Sequence, residues 1–266
     1  MAAAVSTLWY VDSPVPAATL REFEPDRDAA RALLTRLFPD RRADPLDCVP
    51  LTEAAGTLDG DEERICVGSY PGVTVVSSPR FALKQPSALP EMWLHTPAAD
   101  RTLLLVSDPP GAWGAFAMWE RGRLRRAFGA NTVEFFEDRG LPFVWEGPYW
   151  GGEHPLRWPP NVTPPPASLP FHPRKLVEEA HAAWLGFRYV GRRDDEPDPA
   201  EFRVWRFALR AHDAPLPAPP VEPRPVSVTE PETVSEVTSV PEVASVPEAG
   251  TAPEPRASWW RRLVRR

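Results

Sequence analysis

Ile65-Cys66-Val67-Gly68-Ser69-Tyr70-Pro71-Gly72-Val73-Thr74-Val75-Val76-Ser77 is the stretch whose reading decides the fold. Two runs rich in β-branched and small apolar residues flank Tyr70-Pro71-Gly72. Proline suits the second position of a type II turn, and glycine the third, where φ is positive. The stretch therefore reads as a β-hairpin. A second hairpin follows, with residues 113–119 and 123–128 flanking Glu120-Arg121-Gly122. Between the two lies a continuous apolar run at 102–106, of strand length, ending at Ser107-Asp108. A strand apolar on both faces belongs in the middle of a sheet.

Working outward, residues 4–11 form a first apolar strand that ends at Asp12. Pro25 and Asp26 open a helix, and Ala30, Leu33, Leu34, Leu37 and Phe38 follow at helical spacing until Pro39. A short helix is expected over 87–94. A longer one places Leu176, Val177, Ala180, Trp184 and Phe187 on one face. Asp198-Pro199-Ala200-Glu201 has the form of a capping box, yet residues 202–209 are aromatic and β-branched, so helix and strand both stay open there. The expectation is an α+β fold, a mainly antiparallel sheet with hairpins and two or three helices, plus at most one parallel pairing.

The globular part is expected to span 1–212 as a single domain. Beyond it the composition changes. Residues 213–256 hold 11 prolines, 8 acidic residues and 2 arginines, and no aromatic residue. Such a segment cannot bury enough apolar surface to offset its ordering entropy, so it reads as a disordered acidic linker. The last ten residues, 257–266, change again. On a helical wheel Trp259, Trp260, Leu263 and Val264 fall on one arc, and Arg261, Arg262, Arg265 and Arg266 on the opposite one. Ten residues are too few to hold a helix alone in water, so this segment is expected to fold on contact with a partner. An anionic membrane surface suits it, with tryptophan in the headgroup zone and arginine on the lipid charge. A protein groove is the rival, and nucleic acid is expected only through this same segment. A terminus with no role is the remaining alternative.

With a net charge of −7 the whole chain is not built to coat nucleic acid. No apolar stretch approaches the roughly 18 residues of a membrane span. The first basic residue is Arg21, so a secretory signal is not expected. Cys48 and Cys66 have no Cys or His neighbour at metal spacing and read as unpaired thiols in a reducing compartment. Of 30 basic residues only Lys84 and Lys175 are lysine, a usage typical of GC-rich bacterial genomes.

The most unusual part of the domain is residues 141–173, a proline- and tryptophan-rich loop with ten prolines. Loops of this length inside a compact domain are functional or disordered, and its aromatic content argues against disorder. Tyr70-Pro71-Gly72-Val73, Gly147-Pro148-Tyr149-Trp150-Gly151-Gly152-Glu153-His154-Pro155 and Pro170-Phe171-His172-Pro173 resemble a family of actinobacterial proteins of unknown function. The resemblance covers roughly residues 4–210. It implies a bacterial, cytoplasmic, single-domain protein and supplies no activity, cofactor or catalytic residue.

Two sets of side chains are candidates for chemistry. Asp12 and Asp108 end apolar strands, and Glu153, His154 and His172 lie in the long loop. Carboxylates and imidazoles from separate segments are how hydrolytic, acid–base or metal-assisted sites are assembled. No spacing here matches a known metal set, so no metal ligand is assigned and the cofactor is unknown. The plainer reading is that these groups tie down a proline-rich backbone. Trp145, Tyr149, Trp150 and Trp158 could stack on a sugar or a proline-rich peptide, or could pin the loop to its own domain. His181 is expected near the apolar face of its helix, while His95 and His212 carry no pattern. There is no Gly-x-Ser-x-Gly frame and no phosphate-binding glycine loop.

Overall fold

The computed structural model describes residues 5–54, 57–59, 62–158, 160–161, 163–166 and 168–213. From residue 214 on, the expected linker to 256 and the basic segment 257–266 lie outside the described residues. The strands are β1 (Val5–Val11), β2 (Arg41–Pro50), β3 (Thr57–Asp59), β4 (Glu62–Tyr70), β5 (Val73–Ser77), β6 (Arg101–Asp108), β7 (Trp113–Glu120), β8 (Arg123–Ala130), β9 (Phe135–Arg139) and β10 (Arg203–Ala211). The helices are α1 (Pro16–Glu22), α2 (Arg27–Leu37), α3 (Met92–His95), α4 (Gly147–Trp150) and α5 (Pro173–Leu185). The strands form one sheet in the order β2-β10-β4-β5-β1-β6-β7-β8-β9, with β3 added beside β4.

Every pairing among the described strands is antiparallel, so the expected parallel pairing is not found. The turn at Pro71-Gly72 gives Gly72 a φ of 70°, as the type II reading requires. In the second hairpin both Arg121 and Gly122 take positive φ, the type I′ pattern that matches strand twist.

The sheet is covered on both faces, which explains why its central strands read as unbroken apolar runs rather than as alternation. On one face Trp9, Val11, Leu103, Leu105, Phe116 and Phe128 meet Leu176, Val177, Ala180, Trp184 and Leu185 of α5. On the other, Leu8, Tyr10, Ile65, Val67, Leu104 and Val106 meet Leu33, Leu34 and Leu37 of α2, with Phe81 and Trp93. Each of these large side chains contributes about 1.5–3 kcal/mol on burial, so the helices are held by their apolar stripes. Asp26 caps α2 through the backbone N–H groups of Asp28 and Ala29.

Three elements go beyond or differ from the sequence reading: one was not called, one differs, and one was left open between helix and strand. β2 carries Pro45 and Pro50, which a strand tolerates because it lies at a sheet edge. The expected helix over 87–94 divides into a single 3₁₀ turn at Pro86–Ala88 and the short α3, with Pro90 between them. Asp198 caps Ala200, but only a 3₁₀ turn follows, and residues 203–211 become β10. β10 pairs with β2 on one side and β4 on the other, and these ladders hold it in extended form.

Candidate functional site

The long loop is pinned around one buried ion pair. Arg126 on β8 and Glu146 in the loop are both fully excluded from solvent. Arg126 donates Nε to Glu146 Oε1 at 3.0 Å and Nη2 to Oε2 at 2.9 Å. Its Nη1 reaches Asp138 and the carbonyls of Ala127, Arg139 and Gly140. Glu146 also accepts from the Phe143 N–H and from Trp150 Nε1. Burial opposes the charge on Arg126, but Glu146 and Asp138 outweigh it and hold the guanidinium pKa above its ordinary value. The guanidinium lies over the rings of Phe116 and Phe128. Nothing in the spacing of the sequence singles out these two residues. Arg126 stands beside Arg125 in an arginine-rich strand, and Glu146 is an ordinary loop glutamate between Trp145 and Gly147.

The aromatic residues of the loop face inward. Trp145 packs on Phe116, Phe143 and Trp184, and Trp150 lies between Phe135, Phe128 and Phe171. Tyr149 is buried, donates to the Lys175 carbonyl, and has its phenol pushed up to about 12 by burial. These three do not form the open stacking surface considered from the sequence. Their ring faces are taken up by the domain itself, apart from the small part of Tyr149 that lines a depression at the start of α5. Trp158 is only part-buried and stands apart from that cluster.

The proposed polar set is brought together only in part. Asp12 is exposed and accepts the Asp100 N–H at 2.6 Å. Val11 pairs with Arg101 at one end of β6, whereas Asp108 lies at the other end. Seven residue steps along β6 separate those ends by about 23 Å. Asp12 therefore shares no site with Asp108, Glu153 or His172, and a four-residue hydrolytic centre is not assembled. The reason is topological. β1 and β6 are antiparallel neighbours inside the sheet, so their C-terminal ends point to opposite ends of the strands. Among the described residues no cluster of three or more His, Cys, Asp or Glu side chains is arranged to hold a metal ion.

Glu153, His154 and His172 do converge. They line a depression of about 520 Å³ together with Leu156, Arg157 and Lys175. A second depression, about 360 Å³, is lined by Tyr149, His172, Arg174, Lys175, Val190 and Gly191 among others. His172 and Lys175 line both, so the two depressions adjoin at the start of α5 and are referred to together as the His172 cleft. Each volume is within the range that holds a small organic molecule. His154 stacks on Tyr149 with ring centroids 4.2 Å apart.

His172 is the N-cap of α5, and its Nδ1 accepts the Arg174 N–H at 3.3 Å. Burial, then the charges of Arg174 and Lys175, lower its pKa below the ordinary histidine value. The ring is thus neutral near pH 7, and with Nδ1 occupied as an acceptor the proton resides on Nε2. Other charges here are engaged. Arg188 pairs with Glu179 and Glu196, and Glu178 Oε2 accepts the N–H groups of Tyr189 and Val190. Arg174 donates Nε to Ser107 Oγ at 3.0 Å. Among the described residues Arg157, Arg174 and Lys175 have no carboxylate partner.

Elsewhere, Asp12 lines a mixed-charge depression with Asp100, Arg101, Glu120, Arg121 and Arg123, in which Arg121 and Asp100 pair in solvent. Cys48 and Cys66 are both free thiols on β2 and β4, with β10 between them, and burial raises the Cys66 pKa to about 11. No helix among the described residues is long and apolar enough to cross a membrane.

A family model described as a family of unknown function, DUF6928, matches residues 5–207. That span contains the whole cleft, and the chain belongs to this family. No curated protein and no solved structure matches the chain.

Proposed function

We propose that this member of a family without an assigned activity is a binding module, with the His172 cleft as its recognition site. The observation that carries this reading is the use of His172 Nδ1 as a helix cap. A general base needs a free ring nitrogen facing the substrate proton. In the capped tautomer His172 offers only an N–H donor. His154, the other imidazole of the cleft, is exposed, and no carboxylate among the described residues hydrogen-bonds to either ring. A hydrolytic or metal-assisted reaction retains only the meeting of Glu153, His154 and His172 in its favour.

In this proposal residues 257–266 bring the domain, on its acidic linker, to an anionic membrane surface at the cytoplasmic face. The support is the complete segregation of Trp259, Trp260, Leu263 and Val264 from Arg261, Arg262, Arg265 and Arg266. Arginine near an anionic leaflet contributes about 1 kcal/mol per residue, so attachment is weak and reversible. Co-sedimentation with phosphatidylglycerol-containing vesicles tests it. The intact chain pellets at low salt and is released as salt rises, while a 1–256 truncation stays in solution. Equal, negligible pelleting of both defeats the membrane role. A pull-down with the same pair then asks whether a protein groove takes its place.

A further inference from the structure

We propose that the His172 cleft takes a small organic oxyanion, its carboxylate or phosphate head held by Lys175, Arg157 and the His172 N–H, and its apolar body against Tyr149 and Val190. The inference rests on the reading of this cleft as a recognition site and adds the class of ligand.

Three observations lead to it. First, the charges lining the cleft divide into spent and open ones. Arg188 is closed by Glu179 and Glu196, and Glu178 Oε2 is closed by two backbone N–H groups. The cations without a carboxylate partner are Arg157, Arg174 and Lys175, against two carboxylates not paired with a cation, Glu153 in one depression and Glu178 in the other. Second, donors outnumber acceptors among the polar groups left over, which include the Glu153 carboxylate and Glu178 Oε1 as acceptors. Lys175 brings an ammonium, Arg157 a guanidinium, Arg174 its terminal nitrogens, and His172 its Nε2–H. A set of donors selects an acceptor, and charge-assisted hydrogen bonds to an oxyanion are the strongest that such a set makes. Third, the two depressions differ. His172 and Lys175 stand where they meet. One carries Arg157, while the other offers Val190 and the small exposed part of Tyr149, beside Gly191, where an added Cβ would meet nothing within 4 Å. A head group beside His172 and Lys175 leaves its apolar body to the side of Val190.

The start of α5 is not the basis of this site. Its exposed N–H groups are already used, Arg174 by the His172 ring and Lys175 by the His172 carbonyl. The other lysine of the chain is occupied differently, since Lys84 Nζ sits 4.7 Å from the centre of the Phe136 ring.

The test is a titration of the intact, ¹⁵N-labelled chain with benzoate, phenyl phosphate, inorganic phosphate and uncharged benzamide, read by amide shifts. Benzoate or phenyl phosphate is expected to saturate and to move the amides of Lys175 and Gly191. Inorganic phosphate should bind at least tenfold more weakly than phenyl phosphate, and benzamide should not saturate. Lys175→Gln, an exposed substitution, should weaken the organic anion at least tenfold, and Lys84→Gln should leave it unchanged. If benzamide matches benzoate and Lys175→Gln has no effect, the cleft still binds but the oxyanion assignment is overturned. If no probe of either charge saturates, the recognition site itself falls with it.

Discussion

Replacing Glu146 by glutamine keeps the volume of the side chain and removes its charge, which isolates what the buried pair does. Glu146 accepts four hydrogen bonds, two from Arg126, one from Phe143 N–H and one from Trp150 Nε1. The amide has one acceptor oxygen, and its NH₂ faces donors that no longer have a partner. Removing one member of a buried ion pair typically costs about 3–5 kcal/mol, because the other charge stays buried. Asp138 and three backbone carbonyls still hold Nη1 of Arg126. The lower end, about 3 kcal/mol, is therefore expected. With a urea slope of about 2 kcal/mol/M this lowers the unfolding midpoint by about 1.5 M. Tryptophan fluorescence is a direct probe, since Trp145 and Trp150 pack in the loop that Glu146 anchors. The paired replacement Arg126→Met with Glu146→Leu should recover most of the loss, as apolar pairs of similar volume often do. A midpoint shift below about 0.3 M for Glu146→Gln would refute the view that this pair holds the loop.

Two further outcomes follow from the same structure. Gly129→Ala places a Cβ 2.1 Å from the Lys84 carbonyl oxygen, so backbone has to move, and thermal unfolding should show a loss of about 1–3 kcal/mol or more. His181 is 1% exposed, and burial lowers its pKa below the ordinary 6.5. Below pH 6.5 the unfolded chain binds the proton first, so stability is full above that value and is lost as pH falls toward the folded pKa. His181→Phe should flatten this part of the urea-stability profile between pH 6.5 and 5; an unchanged slope would assign the acid loss to other groups.

Much of the sheet was legible because its signals are local. Pro71-Gly72 and Arg121-Gly122 set two hairpin turns through positive φ, and α2 and α5 announce themselves by helical spacing, α2 with Asp26 as its cap, whereas the His172 cap of α5 emerges only in the fold. β2 and β9 were not legible, since edge strands need no continuous apolar face. β2 carries two prolines and β9 reads Phe135-Phe136-Glu137-Asp138-Arg139. The candidate site was legible in its loop half. Glu153, His154 and His172 meet because 153–154 and 172 flank a chain excursion that closes on Leu156 N–H to Pro170 O. Asp12 failed because strand direction is a long-range property. Had β1 and β6 been parallel, their terminal aspartates would lie at the same strand ends; being antiparallel, they cannot. Lys175 and Arg157 were missed because a lone cation becomes informative only once its neighbours' partners are known.

A long loop rich in tryptophan suggests an adaptable surface, but here the aromatic faces and the internal charge are closed. Glu146 is saturated with donors, Trp150 is flanked by three rings, and the Tyr149 hydroxyl is given to Lys175. Among the described residues of the loop, Trp145 Nε1 is a buried donor without a partner, and the open cationic groups lie at the rim, where the loop returns into α5. A ligand there meets donors already positioned by the fold, and little ordering cost is left to be met on binding. It follows that binding should leave the backbone around Glu146 in place. In the amide-shift titration Glu146 and Trp150 should stay still while Lys175 and Gly191 move. Coherent shifts through the Glu146 segment would mean that the loop rearranges, and that the cleft seen here is not the binding-competent form.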